Sequence, residues 1–281
     1  MAASAVNPKM LLEQYGLEPR KALGQNFLHD PNVLEKIVSM ADVSDQDTVL
    51  EIGPGTGALT EVLARHAGRV VAVEVDTRLE PLLRRRFGHL EEVTLHFQDI
   101  LETDLPALLG TESFLVVANV PYYITSAILR HLLESAIRPR RLILTVQLEV
   151  AERLIAKPGD LSLLAVSAQY YATPRILMKL NPAVFYPRPD VTSAVVRLDV
   201  HAAPVVDVPS DEAFFTVVRA GFSQKRKQLK NAIADGLHLS AEQGAQLLDR
   251  SGIDPRRRAE TLSLAEWAAL ARSYARSDLQ P

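Results

Sequence analysis

The 281-residue sequence has no cysteine. Disulfides, a thiolate nucleophile and cysteine-ligated zinc are therefore excluded, and the chain suits a reducing cytoplasm. Long apolar runs are missing too: no stretch approaches the ~18 residues of a membrane-spanning helix. The first ten residues, MAASAVNPKM, lack the apolar segment of a secretory signal. A cytoplasmic protein with no membrane partner is expected. Nor does one sign of charge dominate, since 31 basic and 34 acidic side chains leave a net of −3. With 47% hydrophobic content, that balance excludes wholesale disorder. It does not exclude nucleic acid, because local patches rather than the average set the field a polyanion meets.

What is present is alternation. Thr48–Gly53, Arg69–Val75, Val93–Gln98, Phe114–Asn119 and Arg141–Gln147 are short β-branched and aliphatic runs, most of them separated by room for a crossover helix. That spacing predicts an α/β fold, a doubly wound and mostly parallel sheet with helices on both faces. Two later runs, Arg175–Leu180 and Ser193–Val200, flank the proline-rich loop Asn181–Pro189. They are too close for a crossover helix, which predicts an antiparallel pair at the end of a seven-stranded sheet. Beyond prolines 204 and 209 only helical periodicity remains, over Asp211–Phe222, Lys225–Asp235, Ser240–Ser251 and Leu264–Ala275. The reading is an N-terminal arm over 1–20, an α/β domain over 21–203 and a small α-helical domain over 204–281.

Glu51-Ile-Gly-Pro-Gly-Thr-Gly57 follows the first strand and precedes a helix. Glycines there let a ligand approach the backbone, and the helix N-terminus offers N–H groups. Gly53, Gly55 and Ala58 also satisfy the dinucleotide pattern, so a nicotinamide cofactor stays open at this point. Glu74, at the end of the second strand, is placed to accept hydrogen bonds from ribose hydroxyls. Asp99 ends the third strand, where a carboxylate can take an adenine amine or simply cap a helix. Asn119-Val-Pro-Tyr-Tyr123 follows the fourth strand. An Asn carbonyl and the backbone carbonyl before Pro121 make two acceptors in a stiff turn, and Tyr122 offers a ring to stack on a base. That group suits methylation of an exocyclic amine. Acceptors gripping its hydrogens favour a pyramidal nitrogen with its lone pair aimed at an electrophile, and no general base is needed.

These motifs together resemble the adenine-N6 methyltransferases of ribosomal RNA. Lys21-Ala-Leu-Gly-Gln-Asn-Phe-Leu28 looks like that family's N-terminal cofactor motif, and Phe185–Leu198 like its late loop and strand. Phe222–Asn231 and Asp254–Leu262 are similar to the helical domain of the KsgA-type small-subunit dimethyltransferases, a tail pattern the Erm-type large-subunit enzymes do not share. The resemblance implies a Rossmann-like class I methyltransferase fold and S-adenosylmethionine as cofactor. It implies dimethylation of two adjacent adenosines in the 3′-terminal hairpin of small-subunit (16S) rRNA, on an immature 30S particle. It implies that Asn26, Leu28, Gly53, Glu74, Asp99 and Asn119 hold the cofactor. Asn119, Pro121 and Tyr122 would carry the transfer, and Phe185 would be a second aromatic wall. Three departures stand out: Val120 for leucine, Lys225 for arginine, and a short Ala156–Ser162 loop. Lys225, Arg226 and Lys227 are the expected phosphate contacts, with Arg84–Arg86, Arg138–Arg141 and Arg256–Arg258 as further basic clusters. A monomer without metal is expected. An Erm-type methylase and a non-catalytic 30S assembly factor on the same fold are the alternatives.

Overall fold

The computed structural model describes residues 7–110 and 113–277. Among these residues nine strands run in chain order: β1 (Phe27–Leu28), β2 (Thr48–Ile52), β3 (Arg69–Glu74), β4 (Val93–Phe97), β5 (Phe114–Asn119), β6 (Arg141–Gln147), β7 (Ala172–Leu180), β8 (Phe185–Tyr186) and β9 (Ser193–Val200). Seven form one sheet in the order β4-β3-β2-β5-β6-β9-β7. The pairs β3–β4, β2–β3, β2–β5 and β5–β6 are parallel, and β6–β9 is antiparallel. The central strands are apolar on both faces because helices cover both; every residue of β2 is buried. The chain builds outward from β2 through β3 to β4, then returns to start again at β5. That reversal puts a crevice beyond the carboxyl ends of β2 and β5, where open α/β sheets bind ligands.

The last two long strands are neighbours at the sheet's end, as expected, with β9 between β6 and β7 and paired with β6 from Arg141↔Asp199 to Gln147↔Ser193. One feature differs from the sequence reading. The proline-rich loop is more than a connector. Its β8 pairs antiparallel with β1, Phe27 opposite Tyr186 and Leu28 opposite Phe185. The N-terminal motif is thereby pinned to the late loop, a long-range pairing that two-residue strands do not announce.

By contacts the chain divides into two compact units. One holds residues up to Ala151 together with Thr173–Val200; the other holds Glu152–Ala172 together with residues from His201 onward. In the second unit, Tyr170 stacks on Phe214 at 4.4 Å between ring centroids, and Asp211 accepts hydrogen bonds from the Tyr170 and Tyr171 hydroxyls. The expected helix over Lys225–Asp235 begins instead at Leu229. Leu229 N–H donates to the Arg257 carbonyl (2.7 Å) and Lys230 N–H to that of Pro255 (3.1 Å). Those amides are therefore taken by a neighbouring loop and cannot continue a helix backward. Lys225–Lys227 form a turn, and their spacing is not that of a helix face. Among the described residues no helix is long and apolar enough to cross a membrane.

The core of the first unit contains an acid without a partner. Glu51, on β2, is 1% exposed, and among the described residues neither carboxylate oxygen has a hydrogen-bond partner. Burial pushes its carboxyl up to about 8, against a weaker pull from the Arg86 guanidinium. The folded state thus favours the neutral acid. Its contribution is complete below the ordinary carboxylate range and is lost as pH rises through about 8. Glu51→Gln, which keeps the shape and removes the titration, is expected to unfold at a higher temperature than the parent above pH 8. The gap should shrink towards pH 5, and a gap independent of pH in thermal unfolding would contradict this.

Candidate active site

The crevice at the reversal is a cavity of about 250 Å³, lined from four strand ends and by residues 23–27, an arm that leads into β1. Gly53 and Gly55 follow β2 with φ of +70° and +59°, values that L side chains rarely adopt. The two glycines serve different ends. A Cβ on Gly55 would come within 2.7 Å of the Phe27 ring, so the absent side chain makes room for the arm. A Cβ on Gly53 would meet nothing nearer than the Asn119 carbonyl at 3.9 Å, so that space opens to the cavity. Behind the loop, the Arg86 guanidinium donates to the Thr56 carbonyl and to Glu61. Arg86 is therefore turned inward and only 18% exposed, which withdraws it from the basic cluster expected over Arg84–Arg86.

Glu74 ends β3 and is buried. Its Oε2 accepts from Gly55 N–H (3.0 Å) and its Oε1 from Asp76 N–H (2.9 Å), tying the glycine loop to the next turn. Each oxygen keeps a further lone pair for a ligand hydroxyl. Burial raises the Glu74 pKa, and the two backbone N–H groups oppose that rise. Asp99, just past β4, lines the cavity while its Oδ1 caps Leu101 N–H at 2.9 Å. The cap and the ligand readings are thus compatible: one oxygen holds the turn and Oδ2 makes no hydrogen bond to the described residues.

Asn119 is the last residue of β5, beside Val120, Pro121 and Tyr122 in the cavity wall. Its Nδ2 donates to the Asn26 carbonyl at 2.7 Å. An amide that spends its N–H there turns Oδ1 the other way, free to accept. The Tyr122 hydroxyl lies 2.6 Å from Ser193 Oγ, which holds the half-buried ring in place. Burial raises the Tyr122 pKa, so the phenol stays neutral. Tyr123, 62% exposed, also lines the cavity and packs on Gly24.

Asn26, Gly53, Glu74, Asp99, Asn119, Pro121 and Tyr122 are therefore gathered in one place. Phe185 is not: it is 2% exposed in the core cluster opposite Leu28, and the expected second aromatic wall is absent from that position. The Leu28 side chain is likewise committed to the core. Lys225, Arg226 and Lys227 belong to the second unit. Sequence reasoning gave no role to Tyr123, Ser193 or Gln25. An aromatic immediately after the Asn-x-Pro-Tyr motif was the available signal for Tyr123; Ser193 and Gln25 act through contacts across 71 and 51 residues that no local pattern reveals.

The donor set suits S-adenosylmethionine. The space at Gly53 is a cradle that any Cβ would fill, a buried carboxylate, Glu74, stands at the end of β3, and a second, Asp99, stands just past β4. Comparison with known proteins agrees. Relatives named "Ribosomal RNA small subunit methyltransferase A" include one from Dehalococcoides mccartyi, 44% identical over 268 residues (95% of this chain, 92% of that one). Another from Geobacillus kaustophilus is 45% identical over 277 residues (95% and 94%). Among solved structures, the 23S rRNA methyltransferase ErmE superposes with a TM-score of 0.69 at 26% identity, covering 89% of this chain and all (100%) of that one. A dimethyladenosine transferase from Plasmodium falciparum has the same fold, with a TM-score of 0.75 at 24% identity over 89% of this chain and 97% of that one. Residues 16–276 match the family described as ribosomal RNA adenine dimethylase, and the chain belongs to that family.

Proposed function

We propose that this protein transfers methyl groups to N6 of two adjacent adenosines in the 3′-terminal hairpin of small-subunit rRNA, acting as a cytoplasmic monomer on an immature 30S particle. Family membership makes it an S-adenosylmethionine-dependent rRNA adenine dimethyltransferase. The observation that carries the reading at residue level is the Asn119 amide, anchored through Nδ2 so that its carbonyl oxygen serves the cavity. An intact acceptor of this kind speaks against a non-catalytic clamp. The small-subunit choice over an Erm-type substrate is supported by relatives at 44% and 45% identity, against 26% for ErmE.

In this reading Glu74 holds the ribose hydroxyls, Asp99 Oδ2 takes the adenine amine, and Gly53 lets the methionine portion approach the main chain. Bound there, S-adenosylmethionine supplies an electrophilic methyl on a sulfonium. The chain does the rest by orientation. Asn119 Oδ1 and the Val120 carbonyl accept the two N6 hydrogens of the flipped adenine, withdrawing the nitrogen lone pair from the ring and aiming it at that methyl. Unstacking the base costs a few kcal/mol. Stacking on Tyr122 recovers about 1–3 kcal/mol of it. The N6 proton is lost to water after transfer.

Labelled methyl transfer to unmethylated 30S particles, with 50S particles and naked RNA as controls, tests the substrate; transfer to 50S particles alone would overturn it. For RNA contact, the ion pairs sort the basic clusters. Arg140 pairs with Asp47, Arg141 with Asp42 and Asp199, Arg84 with Glu80, and Arg256 with Asp254. Lys227 pairs with Asp235, whereas Lys225 and Arg226 have no ion-pair partner among the described residues. Reversing both (Lys225→Glu, Arg226→Glu) is expected to weaken RNA binding and flatten its log–log salt dependence by roughly 1–2 units. An unchanged salt slope would remove this turn from the interface.

A further inference from the structure

Three consecutive residues of the 23–27 arm touch three separate parts of the site. The Gln25 side chain donates from Nε2 to Asp76 Oδ2 at 2.8 Å, two residues past Glu74. The Asn26 main-chain carbonyl accepts from Asn119 Nδ2 at 2.7 Å. The Phe27 ring packs on Gly55. Of these, the Asp76 contact is the most heavily built. Asp76 is 2% exposed, is gripped by Arg78 through Nε (2.8 Å) and a second nitrogen (2.6 Å), and has Arg20 at 3.9 Å. Gln25 completes the tie from the other side, its Oε1 accepting from Arg20 N–H at 2.7 Å. Burial raises the Asp76 carboxyl, but its bonds to Arg78 and Gln25 outweigh that and hold its pKa below the usual range. It is a fixed anion at neutral pH.

An asparagine amide has two orientations that differ only in which end carries the oxygen. With the Asn26 carbonyl 2.7 Å away, the orientation that presents Nδ2 makes a hydrogen bond. The reverse would set two carbonyl oxygens against each other. The arm therefore selects which end of Asn119 faces the substrate. Gln25 directly precedes Asn26, so its attachment to Asp76 restrains the main chain that carries that carbonyl.

We propose that Gln25 is a positioning residue for methyl transfer: its tie to Asp76 holds the Asn26 carbonyl against Asn119 and so keeps Asn119 Oδ1 turned to the target amine. The proposal rests on the assignment of Asn119 as the group that grips N6. It couples the Asp76 anchor to the Asn119 amide through the Gln25–Asn26 main chain. Displaced geometry at such a contact lowers the rate by about 10-fold or more, because a misplacement near 1 Å is enough.

The test is a double-mutant cycle on the full chain. Gln25→Leu and, independently, Gln25→Ala are expected to lower kcat for small-subunit rRNA by about 10-fold, with KM for the RNA within twofold. In the Asn119→Ala background the same changes should cost nothing further, since there is no amide left to orient. A merely structural effect on residues 24–27 would persist in that background. Hydrogen exchange at the amides of residues 24–27, measured on protein alone and with S-adenosylhomocysteine, should quicken in both Gln25 variants while thermal unfolding stays at the parental value. Exchange unchanged by Gln25→Leu would overturn the tie. Equal loss of kcat with and without Asn119 would overturn its route through the amide. A parent protein that methylates no adenine on rRNA would instead defeat the underlying assignment, a result readily told apart from the other two.

Discussion

Asn119→Ala will lower methyl-transfer turnover by about 10²-fold or more, the scale on which loss of a single preorganised polar group at a reacting centre is felt. The reason is specific to N6 of adenine. Its lone pair is delocalised into the ring, so the nitrogen is a poor nucleophile until acceptors hold its two hydrogens out of the ring plane. Asn119 can serve because its own N–H is already engaged by the Asn26 carbonyl at 2.7 Å, and β5 fixes its backbone at the sheet edge. Alanine removes the acceptor and leaves the main chain of Val120 and Pro121 as it was. Affinity for S-adenosylhomocysteine, measured by calorimetry, should fall only severalfold, because Gly53, Glu74 and Asp99 are untouched. Single-turnover transfer to 30S particles reads the chemical step. Turnover within threefold of the parent would remove Asn119 from the role given to it. Asn119→Asp is the sharper companion variant: it keeps an oxygen towards the amine, but places a carboxylate against the Asn26 carbonyl, and should recover little.

Much of this site was legible because its residues sit at the ends of predicted strands, and strand ends in a parallel sheet converge. Glu74, Asp99 and Asn119 are 25 and 20 residues apart in turn, yet each closes one of three strands whose carboxyl ends share an edge. That these strands run parallel follows from crossover length. What the sequence does not display depends on long-range contact. The pairing of β1 with β8 joins residues 27–28 to 185–186, and neither segment has the length or alternation of a strand. That pairing is also what buries Phe185: the resemblance implies a wall for the base there, but its place opposite Leu28 makes it core. The helix expected from Lys225 fails for a similar reason. Its periodicity is sound, but the amides at Leu229 and Lys230 are claimed by the carbonyls of Arg257 and Pro255, far along the chain. Basic clusters, finally, do not announce their partners. Arg86 is indistinguishable from Arg84 and Arg85 in sequence, yet it braces the Thr56 carbonyl under the glycine loop.

The second large effect belongs to Glu74. Its carboxylate is anchored by Gly55 and Asp76 N–H groups, at 3.0 and 2.9 Å, so two ribose hydroxyls would donate to an acceptor already aimed and already desolvated. Hydrogen bonds to a charged group contribute about 1.5–3 kcal/mol each. Glu74→Ala should therefore weaken S-adenosylhomocysteine by about 10²-fold or more. The direction of the pH dependence follows from burial, which raises the Glu74 pKa above that of a free carboxyl. Two hydroxyl donors need the ionised form, so affinity in the parent protein should strengthen as pH rises through that raised value and level off above it. For the empty protein the sign is opposite. A raised carboxyl pKa means the fold prefers the neutral acid, so its stability contribution is complete below the ordinary carboxylate range and declines as pH climbs. Ligand binding and folding thus respond to the same titration in opposite senses, and a general loss of structure cannot imitate that. Calorimetric titration between pH 5 and 8.5, beside thermal unfolding of the free protein, separates them. The Glu74→Gln variant should bind with an affinity that no longer varies with pH. If the parent and this variant bound alike across that range, the ribose would have to be held by another group.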